Sequence, residues 1–321
     1  MDEKLNNQLK KLEEKFKNSG QDMNSYLDGL LYDRYLTYWD YIHLDTLLSL
    51  QIPRTYFPDE EIFIGYHQIT ELYFKLIIHE QKQIIDDKLQ QAEFFTKKLE
   101  RINRYFRILI DSFDVMIRGM EKDQFLKFRM SLLPASGFQS AQYRMIEFYS
   151  TPMEHLVHVS DRDKFSSEDS IEEMYEHIYW KKGATDLETQ NKTLTLKQFE
   201  FRYTPRFIRI MKEVEGQTLY HKYLALPESE RNNESLVKEL RKFDVNANVN
   251  WLLMHMGAAF RYLHKEGKTV LATGGTNWKD FLPPSFQKIH YFPNLWSSKE
   301  KEEWGREWVT HAFNSAKTKQ D

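Results

Sequence analysis

Residues 59–88 read DEEIFIGYHQITELYFKLIIHEQKQIIDDK. Ile62, Tyr66, Ile69, Tyr73 and Ile77 recur at spacings of three and four, the period of an α-helix with one apolar face. The acids Asp59, Glu60 and Glu61 suit the positive end of a helix, and Pro58 fits a first turn, where its missing N–H costs nothing. The spacing predicts one helix running to about 88. The same period continues through Phe94, Leu99, Ile102, Phe106 and Leu109 and predicts a second long helix over about 89–119. Pro134-Ala135-Ser136-Gly137 then breaks a helix, and Ser136 is placed to cap the next. Residues 159–200 are polar and turn-rich, which predicts an excursion of short helices with no core of its own. Helices follow near 205–214 and 217–224, and NWLLMHMGAAFRYLHKEG belongs to a long one from about 233 to 266. Only Thr269–Ala272 hints at a strand. There is no internal repeat. The expectation is an all-α fold, one large domain of long packed helices.

Composition narrows the chemistry. The 321 residues hold 45 Lys+Arg and 48 Asp+Glu, so a net charge of −3 gives no case for nucleic acid or an anionic membrane as partner. The absence of cysteine removes disulfides, thiolate metal sites, iron–sulfur clusters, covalent haem attachment and a cysteine nucleophile together. Gly 12 and Pro 9 are few, which favours long helices. The first twenty residues are charged and carry no apolar core, so no secretory signal is expected there. No run approaches the ~18 apolar residues of a membrane span, and a cytoplasmic location is the expectation. Leu5, Leu9, Leu12 and Phe16 form a helical stripe suited to docking on the chain itself or on a sister subunit.

None of the 11 histidines follows a glutamate by three residues, so a bundle-type di-iron site is out. The zinc motif His-Glu-x-x-His, a Walker loop, a dinucleotide fingerprint and a nucleophile elbow are likewise missing. Two histidines on apolar helical stretches remain. His67 shares a face with Phe63, Glu71 and Phe74. His255 follows Trp251 by one turn and precedes Ala258 and Ala259, small residues that let a flat group approach. A lone histidine on an apolar face is commonly a satisfied core residue; two of them, without cysteine and among 15 % aromatic residues, are also compatible with a histidine-ligated haem. Arg129 shares a face with Phe125 and Leu132 and can fork onto a carboxylate or make a surface ion pair. Thr273–Thr276, TGGT, is a short loop with hydroxyls and free N–H groups, readable as a plain turn.

Five stretches, in order along the chain, resemble the tryptophan 2,3-dioxygenase family: LTYWDYIHLDTLLSLQ (36–51), EEIFIGYHQITELYFKLIIHE (60–80), FRMSLLPASGFQSAQYRMIEF (128–148), WLLMHMGAAFRYL (251–263) with TGGT, and YFPNLW (291–296). The resemblance implies haem b between helices, ferrous when active, with His255 as proximal iron ligand beside Trp251, and Ser136 and Gly137 near the cofactor. It implies His67 as the distal residue receiving the indole N–H and Phe63 packed on the indole. Arg129 would hold the substrate carboxylate and Thr273 the ammonium and carboxylate, with Phe125, Leu132 and Ser136 lining the pocket. Tyr38, Tyr41 and Ile42, in an N-terminal segment of residues 1–51, would close the site of a neighbouring subunit in a homotetramer. The implied reaction joins L-tryptophan and O2 into N-formylkynurenine, in tryptophan catabolism. Other outcomes on this scaffold are a different indole or aromatic amino acid as substrate, or haem binding without catalysis. The chain departs from the family pattern near His255, where Leu252, Leu253 and Met254 replace an Arg-containing spacer and Phe260 stands for a glutamate. It departs again at Ala272 and at Thr276-Asn277-Trp278 of the loop.

Overall fold

The computed structural model describes residues 2–34, 36–89, 91–132, 137–185, 191–265, 268–269 and 283–306. The chain divides into two compact units, Met1–Ile52 and Pro53–Asp321. The smaller contains α1 (Glu3–Asn18), α2 (Met23–Tyr32), α3 (Tyr38–Tyr41) and α4 (Leu44–Leu48). Asp2, Asp22 and Thr37 cap the first three through side-chain oxygens, supplying acceptors that a helix start lacks. Phe16 of the predicted stripe stacks on Tyr26, with ring centroids 4.8 Å apart.

The larger unit begins with α5 (Asp59–Asp86), α6 (Ala92–Ser112), α7 (Asp114–Arg118) and α8 (Lys122–Phe128). It continues through α9 (Ala141–Ser150), α10 (Met153–Leu156), α11 (Ile171–Glu176), α12 (Tyr179–Lys182), α13 (Leu194–Glu213), α14 (Leu219–Leu224) and α15 (Glu228–Arg231). The last long pieces are α16 (Glu234–Val245), a π-turn at Asn246–Asn250, and α17 (Trp251–Leu263). The all-α expectation holds. His264–Lys265 pair antiparallel with Lys268–Thr269, and Val270–Ala272 of the hinted strand lie outside the described residues.

α5 packs against α6 and α9, α16 against α6, and α13 against α9. Phe74, Ile77, Leu99, Ile102, Phe106, Phe148, Phe207, Phe243 and Tyr291 are each 1 % exposed or less. Burial of a side chain of this size stabilises by roughly 1.5–3 kcal/mol. Ile171 and Tyr175 of α11, Trp180 of α12 and Ile178 between the two helices join this same core.

Several boundaries differ from the sequence reading, each for a physical reason. On α5 the buried face runs through Tyr66, Thr70, Phe74, Ile77, Gln81 and Ile84, while Ile62 and Ile69 are exposed. A polar residue enters that face because Gln81 donates to Ile146 O at 3.0 Å and Ser150 Oγ at 2.8 Å on α9. The expected helix over 89–119 is broken after Ser112 into α6 and α7, and Phe95 rather than Phe94 is buried. α9 is capped by Ser140, whose hydroxyl accepts from Tyr143 N at 3.2 Å, instead of Ser136. α13 starts at Leu194 and carries Pro205 inside it. That proline forfeits the bond to the carbonyl of Phe201, itself 91 % exposed. The helix expected over 233–266 is interrupted at Asn246–Asn250, where Asn side chains compete for hydrogen bonds. Asn246 donates to Asn103 Oδ1, Asn250 to Asn246 Oδ1 and Asn248 to Asp244 Oδ1, at 3.1, 3.0 and 2.8 Å. The wider turn rotates α17 relative to α16 and so sets which face of it carries His255.

Candidate functional site

α5 places Phe63, His67 and Glu71 on one side, four residues apart. His67 Nδ1 lies 2.7 Å from Phe63 O. A carbonyl only accepts, so Nδ1 carries the proton and donates. Desolvation lowers the pKa of His67, with the Phe63 carbonyl and the Glu71 charge pulling partly against it. The ring remains accessible to solvent while protein surrounds it closely enough to desolvate it. At neutral pH it is therefore an uncharged Nδ1–H tautomer whose Nε2 holds a free lone pair. Glu71 is fixed from α9, where Gln142 Nε2 donates to its carbonyl at 2.7 Å and its carboxylate at 2.9 Å.

α17 repeats this arrangement. His255 Nδ1 donates to Trp251 O, 2.9 Å away and one turn earlier. Desolvation pushes its pKa down to about 4 against the raising effect of the Trp251 carbonyl, and the charge of Arg144, joined by that of His67 whenever His67 is protonated, adds to the lowering. The two imidazoles thus lie within electrostatic reach of each other, both neutral, both with Nε2 unused by these bonds. Aromatic rings bridge them. Phe113 lies 4.7 Å from His255 and 5.8 Å from Tyr66, whose ring is 6.3 Å from His67. Phe63 stacks on His67 at 4.0 Å and Trp251 meets His255 edge-on at 4.7 Å.

α8 supplies the third wall. Phe125 and Phe128 lie 6.2 and 5.8 Å from Phe63. Arg129, at the C-cap of α8, is only 6 % exposed, so it is not a surface residue. Burial pushes its guanidinium below the usual arginine value, which means that water compensates its charge poorly. A buried cation of this kind favours a carboxylate, which its planar fork can bind through two oxygens.

The structure brings Phe63, His67, Phe125, Trp251 and His255 into one ring network, with Arg129 at the end of the helix that carries Phe125. The backbone of Leu132 ends a 3-10 turn, Arg129–Leu132, and Gly137 opens another, Gly137–Gln139. Ser136 and Thr273 lie outside the described residues. Tyr38 and Tyr41 are 72 % and 71 % exposed and Ile42 follows them in the smaller unit. Sequence reasoning missed Phe113, Phe128 and Tyr262. Tyr262 stands seven residues after His255, two turns along the same face, and packs on Phe125 at 4.4 Å; that spacing was the available signal.

The residues fit a haem better than a bare metal ion. Among the described residues no three His, Cys, Asp or Glu side chains cluster as metal ligands. A zinc or non-haem iron ion needs about that many protein donors. A porphyrin brings four nitrogens itself and asks the protein for one axial donor. His255 offers one: a neutral imidazole whose Nδ1–H is held by a carbonyl, the usual orienting contact of a metal-bound histidine.

Three comparisons with known proteins bear on this geometry. Tryptophan 2,3-dioxygenase from Bacillus thuringiensis subsp. konkukian (strain 97-27) is 40 % identical over 136 residues, covering 40 % of this chain and 47 % of that protein. The protein of the same name from Ruegeria sp. (strain TM1040) is 45 % identical over 116 residues, or 35 % and 40 % of the two chains. That of Bradyrhizobium diazoefficiens is 40 % identical over 130 residues, or 39 % and 45 %. Each alignment thus spans less than half of the relative's length. The model of the family described as tryptophan 2,3-dioxygenase reaches further, matching residues 30–276, a span that includes both histidines and Arg129, and the chain belongs to that family.

Proposed function

We infer that this protein is a haem-dependent dioxygenase that opens the indole C2–C3 bond of L-tryptophan with O2 to give N-formylkynurenine. The observation that carries the reading is the matched pair of neutral histidines. Each is fixed as the Nδ1–H tautomer by the carbonyl one turn earlier, and each leaves Nε2 free. Ferrous haem b, when bound, supplies the iron at which O2 is activated. His255 would hold that iron through Nε2. His67 would accept the indole N–H at its own Nε2, a role that requires the neutral ring and is lost on protonation. Phe63, Phe125 and Phe128 would pack on the indole and keep water out, and Arg129 would fork onto the α-carboxylate. Fixing a zwitterion at both ends orients the C2–C3 bond, and orientation alone can contribute roughly 7–11 kcal/mol to a barrier.

The same reading assigns Thr273 to the ammonium end and Leu132, Ser136 and Gly137 to the pocket wall. It assigns Tyr38, Tyr41 and Ile42 to closing a neighbouring subunit's site in a homotetramer, with residues 1–51 as the crossing segment of a single catalytic domain. No helix among the described residues is long and apolar enough to cross a membrane, and we place the enzyme in the cytoplasm. The test is aerobic incubation of the reduced, haem-loaded protein with L-tryptophan. N-formylkynurenine is the expected product. Turnover of a different indole, with none of L-tryptophan, overturns the substrate assignment; haem binding without turnover of any indole overturns the activity.

A further inference from the structure

α5 and α8 are fastened together at their first turns by a reciprocal pair of caps. Asp59, the first residue of α5, accepts the Glu121 N–H through Oδ2 at 2.5 Å. Glu121 is the N-cap of α8 and has no side-chain cap of its own. In return Gln124 Oε1, in the first turn of α8, accepts the Asp59 N–H at 3.3 Å. Both N–H groups are among those that a helix start leaves without an intrahelical partner, and Asp59 is only 9 % exposed. α17 reaches the same junction. The Tyr262 hydroxyl, with one proton to donate, lies 3.4 Å from the carbonyls of both Ile117 in α7 and Met120 just before α8, while its ring lies 4.4 Å from Phe125. The start of α8 is thus held by the helix of His67 and by the helix of His255.

We propose that Asp59 is a positioning residue that sets where Arg129 stands relative to Phe63 and His67, and so which amino acid fits between them. The inference rests on reading Arg129 as the carboxylate clamp and His67 as the indole acceptor. Phe63 lies one turn beyond Asp59 and His67 two turns. Arg129 follows Gln124 by five residues, at the other end of α8. That helix has 7 residues, or about 10 Å at ~1.5 Å per residue. A slip or tilt at its start therefore arrives at Arg129 with no loop to absorb it. A slip of one residue is ~1.5 Å, and a misplacement of ~1 Å can cost an oriented reaction about 100-fold. The span from carboxylate to indole N–H is limited to the few staggered conformers of the substrate's two rotatable side-chain bonds. Registering the two helices at their origins holds the protein's own span at one value, and so selects among those conformers.

The test compares wild type, Asp59→Ala and Asp59→Asn, each as the full haem-loaded chain. It measures kcat and KM for L-tryptophan and for tryptamine, which has no carboxylate, together with calorimetric Kd values for both and the Tm. Asp59→Ala should lower kcat/KM for L-tryptophan about 100-fold, mostly through KM, and weaken L-tryptophan binding in parallel. Tryptamine makes no use of Arg129, so its constants should hold, and the preference for L-tryptophan should narrow. Asp59→Asn keeps an oxygen to accept the Glu121 N–H and should restore most of that preference. Equal losses for both ligands alongside a fallen Tm would show a role in stability alone, and an unchanged preference would overturn the proposal while leaving the functional reading intact. A wild type that neither binds nor turns over L-tryptophan overturns both.

Discussion

Arg129→Ala is the perturbation that separates substrate recognition from chemistry most cleanly. Arg129 is 6 % exposed and its guanidinium is already desolvated before any ligand arrives. Part of the cost of stripping water from the cation is therefore met in folding and not on binding. Truncating one partner of a buried, hydrogen-bonded charge pair costs about 2–5 kcal/mol, or roughly 30- to 4000-fold at 1.4 kcal/mol per decade. That loss should fall mainly on KM for L-tryptophan. Arg129→Lys retains the charge without the planar fork and should fall between wild type and alanine. The assay is steady-state production of N-formylkynurenine over a range of L-tryptophan, repeated with tryptamine, for which the alanine variant should behave as wild type does. A KM for L-tryptophan that stays near the wild-type value, or equal losses for the two amines, would refute the clamp.

Other outcomes follow from groups away from the ligand. Asp244 is fully buried and accepts from Tyr291 N, Trp296 Nε1 and Asn248 Nδ2 at 2.8 Å each and from Phe292 N at 3.2 Å. Asp244→Ala leaves these donors unmatched and should cost about 3–5 kcal/mol in urea unfolding; a loss under 1 kcal/mol, within the range of an ordinary surface substitution, would show that the four hydrogen bonds do not hold this region. His155 and His290 are pushed down to about 4 and about 3, first by burial and then by the charge of Arg162. The unfolded chain binds these protons near pH 6.5, so the folded state refuses protons that the unfolded state takes up. Their stability is fully present above pH 6.5 and is lost as pH falls toward 4, by roughly 4 kcal/mol at most between pH 7 and pH 5. Buried Glu147 and Asp244, raised to about 7 and about 6, act in the opposite direction over that interval, so the effect is read as the difference between wild type and a His155→Gln/His290→Gln variant; the same pH dependence in both would contradict it. Replacing Gln81 by Leu should destabilise the α5–α9 contact, because Ile146 O and Ser150 Oγ lose their shared donor. The expected loss is about 1–3 kcal/mol by denaturant titration, and a stabilised variant would argue against it.

What the sequence made legible was what repeats with a helical period. α5, α6 and α17 could be read because each buries a continuous face, and His67 and His255 stood out as histidines in apolar stretches beside those faces. The period did not say which neighbouring stripe is buried. Ile62 and Ile69 look as apolar as Phe74 and Ile77, and only the packing of α6 and α9 selects between them. The break at Asn246–Asn250 was hidden because its cause is tertiary: Asn103 comes from α6, far away in the chain, and stabilises the wider turn through Asn246. Pro205 misled in the opposite direction, since a proline reads as a helix start and here sits mid-helix. The reciprocal caps of Asp59 and Gln124 could not be read at all. Each residue looks like an ordinary first-turn polar side chain until the two helices meet. The tautomers of the histidines were partly legible, because an i−4 carbonyl is always at hand on a helix; their depressed pKa values required knowing what surrounds them.

The central claim is that two similar histidines hold opposite posts. Haem titration monitored by absorbance and resonance Raman, on wild type, His255→Ala and His67→Ala, tests it directly. His255→Ala should lose tight haem binding and the iron–histidine signature. His67→Ala should bind haem stoichiometrically with that signature intact and yet fail to accelerate N-formylkynurenine formation. Retention of the iron–histidine signature in His255→Ala, or its loss in His67→Ala, would contradict the assignment.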